Sequence, residues 1–476
     1  MTPAEALRKN FPFEPTQDQA QLFQKLDQFI MRRTGLKEVF LLKGYAGTGK
    51  TTVVSALVKI LNKFGYKYVL LAPTGRAAKV MSTYSEKPAS TIHKKIYKQT
   101  ANPYSDGLAF ARQPNKSEQV LYIVDEASMI SDDKAFGDNG LLQDLLGYVF
   151  EKPSNKLLLI GDTAQLPPVN QTISPSLNAA YLQSNFNCHV HEMEMRQVMR
   201  QAEESGILMN ATRLRNELLK EAPELAFKTR GYRDIFSMRG DKLEDGLRYA
   251  YDKFGIDNTT VICRSNKTAN LYNQHIRRQI FFSEDEIGVG DYLMIVRNNY
   301  TWLPKDSSIG FMANGDFVEI TKIIRYEEMY GLRFADVRIR FVDYPNEEEL
   351  DTKIMLDTLY SEAPALPTDK NKELYQQVLL DYQHITNKRQ RAQEMRQDKY
   401  LNALQVKFAY ALTCHKAQGG QWQAVFVDHG FLKEDLVTQE FARWLYTAAT
   451  RASEQLFLVN FNEKLLENAP ERVEEG

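Results

Sequence analysis

The sequence predicts an α/β fold of two tandem parallel-sheet domains, the second interrupted by a small β-rich insertion. Three observations carry this expectation. Apolar runs of strand length alternate with helix-like segments through the first 170 residues, and a second such set begins near residue 260. Inside the second set lies a stretch with the alternation of antiparallel strands.

In the first set, VFLLKG (Val39–Gly44) runs into a glycine loop and then a helix-like TTVVSALVKILNKFG. YVLLAP (Tyr68–Pro73), VLYIVDE (Val120–Glu126) and KLLLIGD (Lys156–Asp162) are further apolar runs, each ending in a polar or glycine-bearing turn. Strands of this kind separated by helices form a parallel sheet covered on both faces, with ligands at the strands' carboxyl ends. In the second set, VICRS (Val261–Ser265) precedes a helical NKTANLYNQHIRRQIF, followed much later by KFAYALT (Lys407–Thr413) and AVFVDHG (Ala424–Gly430). Between them FVEITKII and VRIRFV (Val337–Val342) have one wet face, and a charged helical stretch runs from about Asn371 to Tyr400. The expected division is 1–195 for the first domain, 196–310 with 405–476 for the second, and 311–404 for the insertion. Residues 95–118 form a further insertion in the first domain, where the turn-rich NPYSDG flanked by aromatics fits a β-hairpin.

Composition excludes more than it identifies. The chain of 476 residues is 43% hydrophobic and 25% charged with a formal net charge of −1, which excludes a uniformly basic nucleic-acid coat but permits a local basic groove. Cys188, Cys263 and Cys414 form no CxxC pair, so a reducing compartment is expected. MTPAEALRKN has no apolar signal region and no run reaches membrane-span length, so a cytoplasmic location without membrane association is expected.

The chemistry is concentrated at strand ends. GYAGTGKTT (Gly44–Thr52) matches G-x-x-x-x-G-K-[ST] between a strand and a helix. Gly44, Gly47 and Gly49 let backbone N–H groups face phosphates, with Thr48 and Thr52 completing the loop. Lys50 supplies charge to the β- and γ-phosphates of ATP, and the Thr51 hydroxyl can ligate Mg2+. Asp125 and Glu126 end an apolar strand; beside a magnesium nucleotide, Asp125 would hold the metal and Glu126 polarise the attacking water. In GDTAQLPPV (Gly161–Val169), Gln165 offers an amide to sense the γ-phosphate or orient water. The histidines of CHVHEMEMR, His189 and His191, share one face of an apparent strand, but no complete ligand set is evident and no zinc site is expected.

These segments, with LAPTGRAAK, ASTIHK, TCHKAQG and YTAATRA, resemble the ordered motifs of superfamily 1 helicases of the B branch, the RecD, Dda and Pif-type enzymes, from about Thr16 to Leu458. The resemblance implies two RecA-like motor domains, a strand-splitting pin at 95–118 and an SH3-like insertion. It further implies 5′→3′ movement on single-stranded DNA and action at single-strand/duplex junctions; a monomer is expected, because both halves of the ATP site lie in one chain. Carried over by residue, Gln19 resembles the glutamine that reads adenine, and Arg200 and Arg451 resemble arginines reaching the γ-phosphate across the interdomain cleft. Arg196, placed one helical turn before Arg200, is an alternative to it. Pro73, Thr74, Thr91, His93, Thr413, His415 and Gln418 resemble DNA-contacting or coupling residues, and Phe110, with Tyr104, is the candidate pin aromatic. The chain departs from the pattern at Gln421, where RecD-type enzymes often carry an acid. An RNA-directed motor and a P-loop switch that binds a protein partner are the alternatives. A fused nuclease is not expected.

Overall fold

The computed structural model describes residues 1–101, 108–133, 139–199, 204–304, 307, 309–344, 346–430 and 438–467, with the backbone alone at 99–101 and 108–110. Strands β1 (Glu38–Gly44), β2 (Lys67–Ala72), β3 (Ala89–Thr91), β4 (Tyr97–Ala101), β5 (Leu108–Arg112), β6 (Val120–Val124), β7 (Lys156–Gly161) and β8 (His189–Met195) belong to the first domain. Six of them form a sheet in the order β3-β2-β6-β7-β1-β8, every neighbouring pair parallel. The continuous apolar runs have a direct consequence in packing. Phe40 and Leu42 of β1 enter one apolar cluster while Val39 and Leu41 enter another, so both faces are buried.

β4 and β5 pair antiparallel as a hairpin standing apart from that sheet, with Gln99 opposite Phe110. Tyr104 lies outside the described residues.

The second domain contributes β9 (Ile235–Met238) and β10 (Thr259–Cys263), followed by β11 (Tyr292–Ile295), β12 (Phe317–Met329), β13 (Leu332–Phe341), β14 (Leu350–Met355) and β15 (Leu404–Phe408), then β16 (Ala411–Thr413), β17 (Trp422–Asp428) and β18 (Ala452–Val459). The parallel sheet has the order β16-β10-β17-β18-β9, and β11–β15 close into a five-stranded barrel. Two expectations change here. The barrel begins at Tyr292 and ends at Phe408, so it extends past 311–404 on both sides. KFAYALT is two strands rather than one, because the chain exchanges partners at Ala409 and Tyr410. Ala409 N donates to Tyr292 O of the barrel (2.9 Å), whereas Val261 N of the sheet donates to Tyr410 O (3.0 Å). The charged stretch forms helices Thr368–Asp381 and Lys388–Arg396, whose apolar residues Leu374, Val378 and Met395 pack with Phe334 and Tyr400. Among the described residues no helix is long and apolar enough to cross a membrane.

Arg76, on the helix Gly75–Ser85 after β2, joins all three units. Its Nη1 lies 3.2 Å from Asp343 Oδ1, its Nη2 donates to Asp257 O (3.0 Å), and its guanidinium stacks over Phe317 and Trp422. Asp316, at the same junction, is 1% exposed with Oδ1 unpartnered. Burial, reinforced by the Asp343 charge, pushes its carboxyl up to about 7. A carboxyl raised on folding stabilises fully below the unfolded value, near 3.8, and that contribution is lost as pH rises through 7. Asp316→Asn is therefore expected to gain stability relative to the parent chain between pH 5 and pH 8, by at most about 1.4 kcal/mol per pH unit. Thermal melts of both proteins across that range check it; parallel curves would contradict it.

Candidate functional site: a nucleotide cleft between two sheets

The loop after β1 turns sharply because Gly49, at φ +85°, caps the helix Lys50–Leu61 in a left-handed conformation that a side chain would strain. The turn aims the helix N-terminus and its unpaired N–H groups into a cleft of about 290 Å³. Gly47, Gly49, Lys50, Thr51, Asp125, Glu126 and Gln165 line it from the first domain, and Gly419, Gln421 and Arg451 from the second. Lys50 Nζ donates to the loop carbonyls of Gly44 (2.6 Å) and Tyr45 (2.9 Å), so the ammonium is held at the loop's centre. Thr48 is buried and its hydroxyl donates to Tyr45 O (2.8 Å). Thr52 is on the helix and outside the cleft lining.

Asp125 Oδ2 accepts from Tyr84 OH (2.7 Å) and Oδ1 from Glu126 N (2.8 Å). Burial, with the adjacent Glu126 charge, pushes the Asp125 carboxyl up. Glu126 sits at φ +52°, an uncommon conformation for a residue with a side chain, and such outliers concentrate at functional sites. The twist turns its carboxylate toward the second domain: Arg451 Nη1 lies 3.6 Å from Glu126 Oε1. Arg451 is 3% exposed and is anchored by donation to Thr447 O (3.1 Å) and Gly420 O (3.2 Å). Gln165 is buried, and its Oε1 has no hydrogen-bond partner. An unpaired buried acceptor is costly, so one aimed at a phosphate cleft fits a site built to receive a donor such as water.

Other bonds bridge the cleft. Tyr446 OH donates to Asp162 Oδ2 (2.5 Å) and accepts from Ala46 N of the glycine loop (2.9 Å). Leu166 N donates to Thr447 Oγ1 (2.9 Å), and Arg443 donates to Thr163 O. Asp162, Tyr446 and Arg443 were missed by the sequence reading. Asp162 follows β7 much as Asp125 follows β6, and Tyr446 opens YTAATRA, so both carried a signal. Tyr84 carried none.

Three more of the expected residues have defined partners. Gln19 is 1% exposed; its Oε1 accepts from Thr16 N (3.0 Å) and its Nε2 donates to Thr48 O (3.0 Å), so its amide braces the glycine loop. Gln418 is buried and donates to Leu166 O (2.7 Å), which makes it a bridge between the domains. Arg196 is not on a helix: it follows β8 directly, is mostly exposed, and pairs with Glu194 (2.6 Å). Arg200 lies outside the described residues.

The remaining expected residues stand at carboxyl ends of strands. Pro73 and Thr74 follow β2, and the Thr74 hydroxyl accepts from Ala77 N (3.2 Å) to cap a helix. Thr91 ends β3 and caps the helix Ile92–Ile96 by accepting from Lys94 N (3.2 Å). His93 follows on that helix, 6.3 Å from the Phe311 ring at the barrel's root, and burial pushes its imidazole down to about 4. It is therefore neutral near pH 7 while no anion stands beside it. Thr413 ends β16 and His415 is exposed on the next turn. Gly419, at φ +74°, lets the two domains approach closely: a Cβ there would stand 2.9 Å from Ala77 Cβ.

A family model described as an AAA domain matches residues 17–229, and one described as a UvrD-like helicase C-terminal domain matches residues 408–459. An uncharacterised protein of Acanthamoeba polyphaga mimivirus is 24% identical over 91% of this chain and 97% of its own. The ATP-dependent DNA helicase Dda of Enterobacteria phage T4 is 28% identical over 53% of this chain and 55% of its own. The ATP-dependent RecD2 DNA helicase of Deinococcus radiodurans is 26% identical over 91% of this chain and 47% of its own. The chain thus spans nearly the whole mimivirus protein and about half the length of each of the two helicases. With a glycine-loop domain and a UvrD-like half arranged around one nucleotide cleft, the chain is similar to ATP-dependent DNA helicases such as Dda and RecD2.

Proposed function

We propose that the chain is an ATP-driven DNA motor that moves 5′→3′ along single strands and separates the duplex it meets. The observation that carries this reading is the pairing of Arg451, from one sheet domain, with Glu126, from the other, across the glycine-loop cleft. In this reading Lys50 and the loop N–H groups hold the β- and γ-phosphates, Glu126 accepts a proton from the attacking water, and Gln165 orients that water. Thr51 and Asp125 are the residues that would hold Mg2+, which when bound neutralises phosphate charge. Arg451, joined by Arg200, stabilises charge on the transferring phosphoryl group only while the cleft is closed. Tyr446, Gln418 and Thr447, which already bond across the cleft, make its closure depend on the state of the glycine loop.

Domain closure becomes movement if each domain grips the strand differently in its open and closed states. Thr74, Thr91 and His93 on one sheet and Thr413 and His415 on the other are the proposed grips, standing where parallel sheets place ligands. The 95–118 hairpin is the proposed pin at a single-strand/duplex junction. A base–aromatic stack is worth roughly 1–3 kcal/mol. Phe110→Ala is thus expected to lower unwinding several-fold more than it lowers DNA-stimulated ATP hydrolysis; equal losses in both assays would remove the pin role.

ATP hydrolysis with no nucleic acid, with single-stranded DNA and with single-stranded RNA tests the reading. Strong stimulation by DNA is expected. Stimulation by RNA alone would make the chain an RNA motor, and no stimulation would favour a nucleotide switch for a protein partner.

A further inference from the structure

Glu38 opens β1 and His189 opens β8, and the two are partners in the parallel ladder. His191, two residues on, shares His189's face of the strand. Three donor atoms consequently converge: Glu38 Oε2 lies 3.2 Å from His189 Nδ1 and 2.8 Å from His191 Nε2, and the two nitrogens are 3.2 Å apart. Nitrogen and oxygen ligands about 2.0–2.2 Å from one tetrahedral zinc ion stand about 3.3 Å from each other. The trio already approximates one face of that tetrahedron.

The surroundings are those of a built site. Glu38 is 2% exposed at a strand end, and its other oxygen accepts from Thr34 Oγ1 (2.6 Å), with Arg32 Nε at 3.4 Å, which turns Oε2 toward the imidazoles. Outer contacts of this kind orient metal-binding carboxylates. The His191 ring stacks on Phe40 (6.3 Å, 9°) and meets Phe29 edge-on, which fixes its rotamer. Both imidazoles keep partial exposure, leaving an entry path and room for a fourth ligand from solvent. Arg32, Arg33 and Lys156 are the cations nearby; Lys156 is engaged by the carbonyls of Phe29 and Arg32, and the Glu38 charge offsets part of the rest.

We propose that Glu38, His189 and His191 form a binding site for a divalent transition-metal ion of the zinc class, at the end of the first sheet opposite the nucleotide cleft. Two imidazoles select against magnesium, which demands oxygen ligands, and in favour of zinc, nickel or copper. The ion ties the 32–37 loop and the start of β8 to β1. β8 leads on to Met199, whose N–H donates to Gly47 O of the glycine loop (3.0 Å).

The test uses the intact chain, chelator-treated and nucleotide-free, in millimolar Mg2+ so that oxygen sites are filled. Zn2+ is titrated by calorimetry and by thermal melting, and Co2+ by visible absorption. One ion per chain is expected at micromolar or tighter affinity, with a melting rise of about 3 °C or more at saturation and a tetrahedral cobalt spectrum lacking thiolate charge transfer. His189→Ala and His191→Gln are expected to weaken binding by more than about 100-fold, and Thr34→Val, which leaves all three ligands in place, by about 10–100-fold. Thr34→Val also keeps the test decisive if a histidine variant fails to fold. Absence of stoichiometric binding by the parent chain, affinity unchanged in all three variants, or a thiolate band implicating Cys188 would each overturn the site.

Discussion

Replacing Arg451 with alanine is expected to slow DNA-stimulated ATP hydrolysis by about 10³–10⁵-fold, the range by which arginines supplied from a second domain accelerate phosphoryl transfer. The geometry gives the reason. Arg451 is buried on the second domain, held by the carbonyls of Thr447 and Gly420, and its Nη1 reaches Glu126 on the first. A cation so placed adds little to ground-state affinity but stabilises charge that develops on the transferring phosphoryl group. Nucleotide affinity should therefore change far less than turnover. Arg451 also ties the helix Gln439–Ala449 to the turn before β17, so alanine carries a folding risk. Arg451→Lys retains the charge without the planar fork and should recover part of the rate. Turnover measured beside nucleotide binding checks both variants. A parallel loss of binding and rate would assign Arg451 to the fold instead.

The second large effect is expected at Lys50. Lys50→Ala removes the ammonium now centred in the loop by Gly44 O and Tyr45 O, and should lower turnover by about 10²–10³-fold or more. Unlike Arg451→Ala, it should also weaken nucleotide binding, because the ammonium meets the phosphates in ground and transition states alike. It should leave folding intact, because Lys50's bonds are local to the loop. Equilibrium binding of a fluorescent nucleotide, with a melting curve as control, separates the two variants. Equal nucleotide affinity in Lys50→Ala and the parent chain would contradict the phosphate role.

The elements legible in the sequence are those whose signal is local. GYAGTGKTT announces its own strand, loop and helix, and VLYIVDE announces a buried strand ending in carboxylates, because a few adjacent residues settle each. What depends on strand order was not legible. Glu38 meets His189 only because β1 and β8 are neighbours, although about 150 residues separate them. The partner exchange at Ala409–Tyr410 is invisible in KFAYALT, since both halves are equally apolar and only tertiary pairing divides them. Gln19 and Gln418 show the same limit: that one amide meets Thr48 O of the glycine loop and the other Leu166 O of the opposite domain is set by the fold and not by neighbouring residues.

The measurement that tests the central claim most directly is ATP-driven strand displacement on matched duplexes carrying a 5′ or a 3′ single-stranded tail, with Lys50→Ala beside the parent chain. Displacement from the 5′ tail alone, abolished in Lys50→Ala, is the predicted result. Displacement from the 3′ tail alone, or displacement that survives Lys50→Ala, would contradict it.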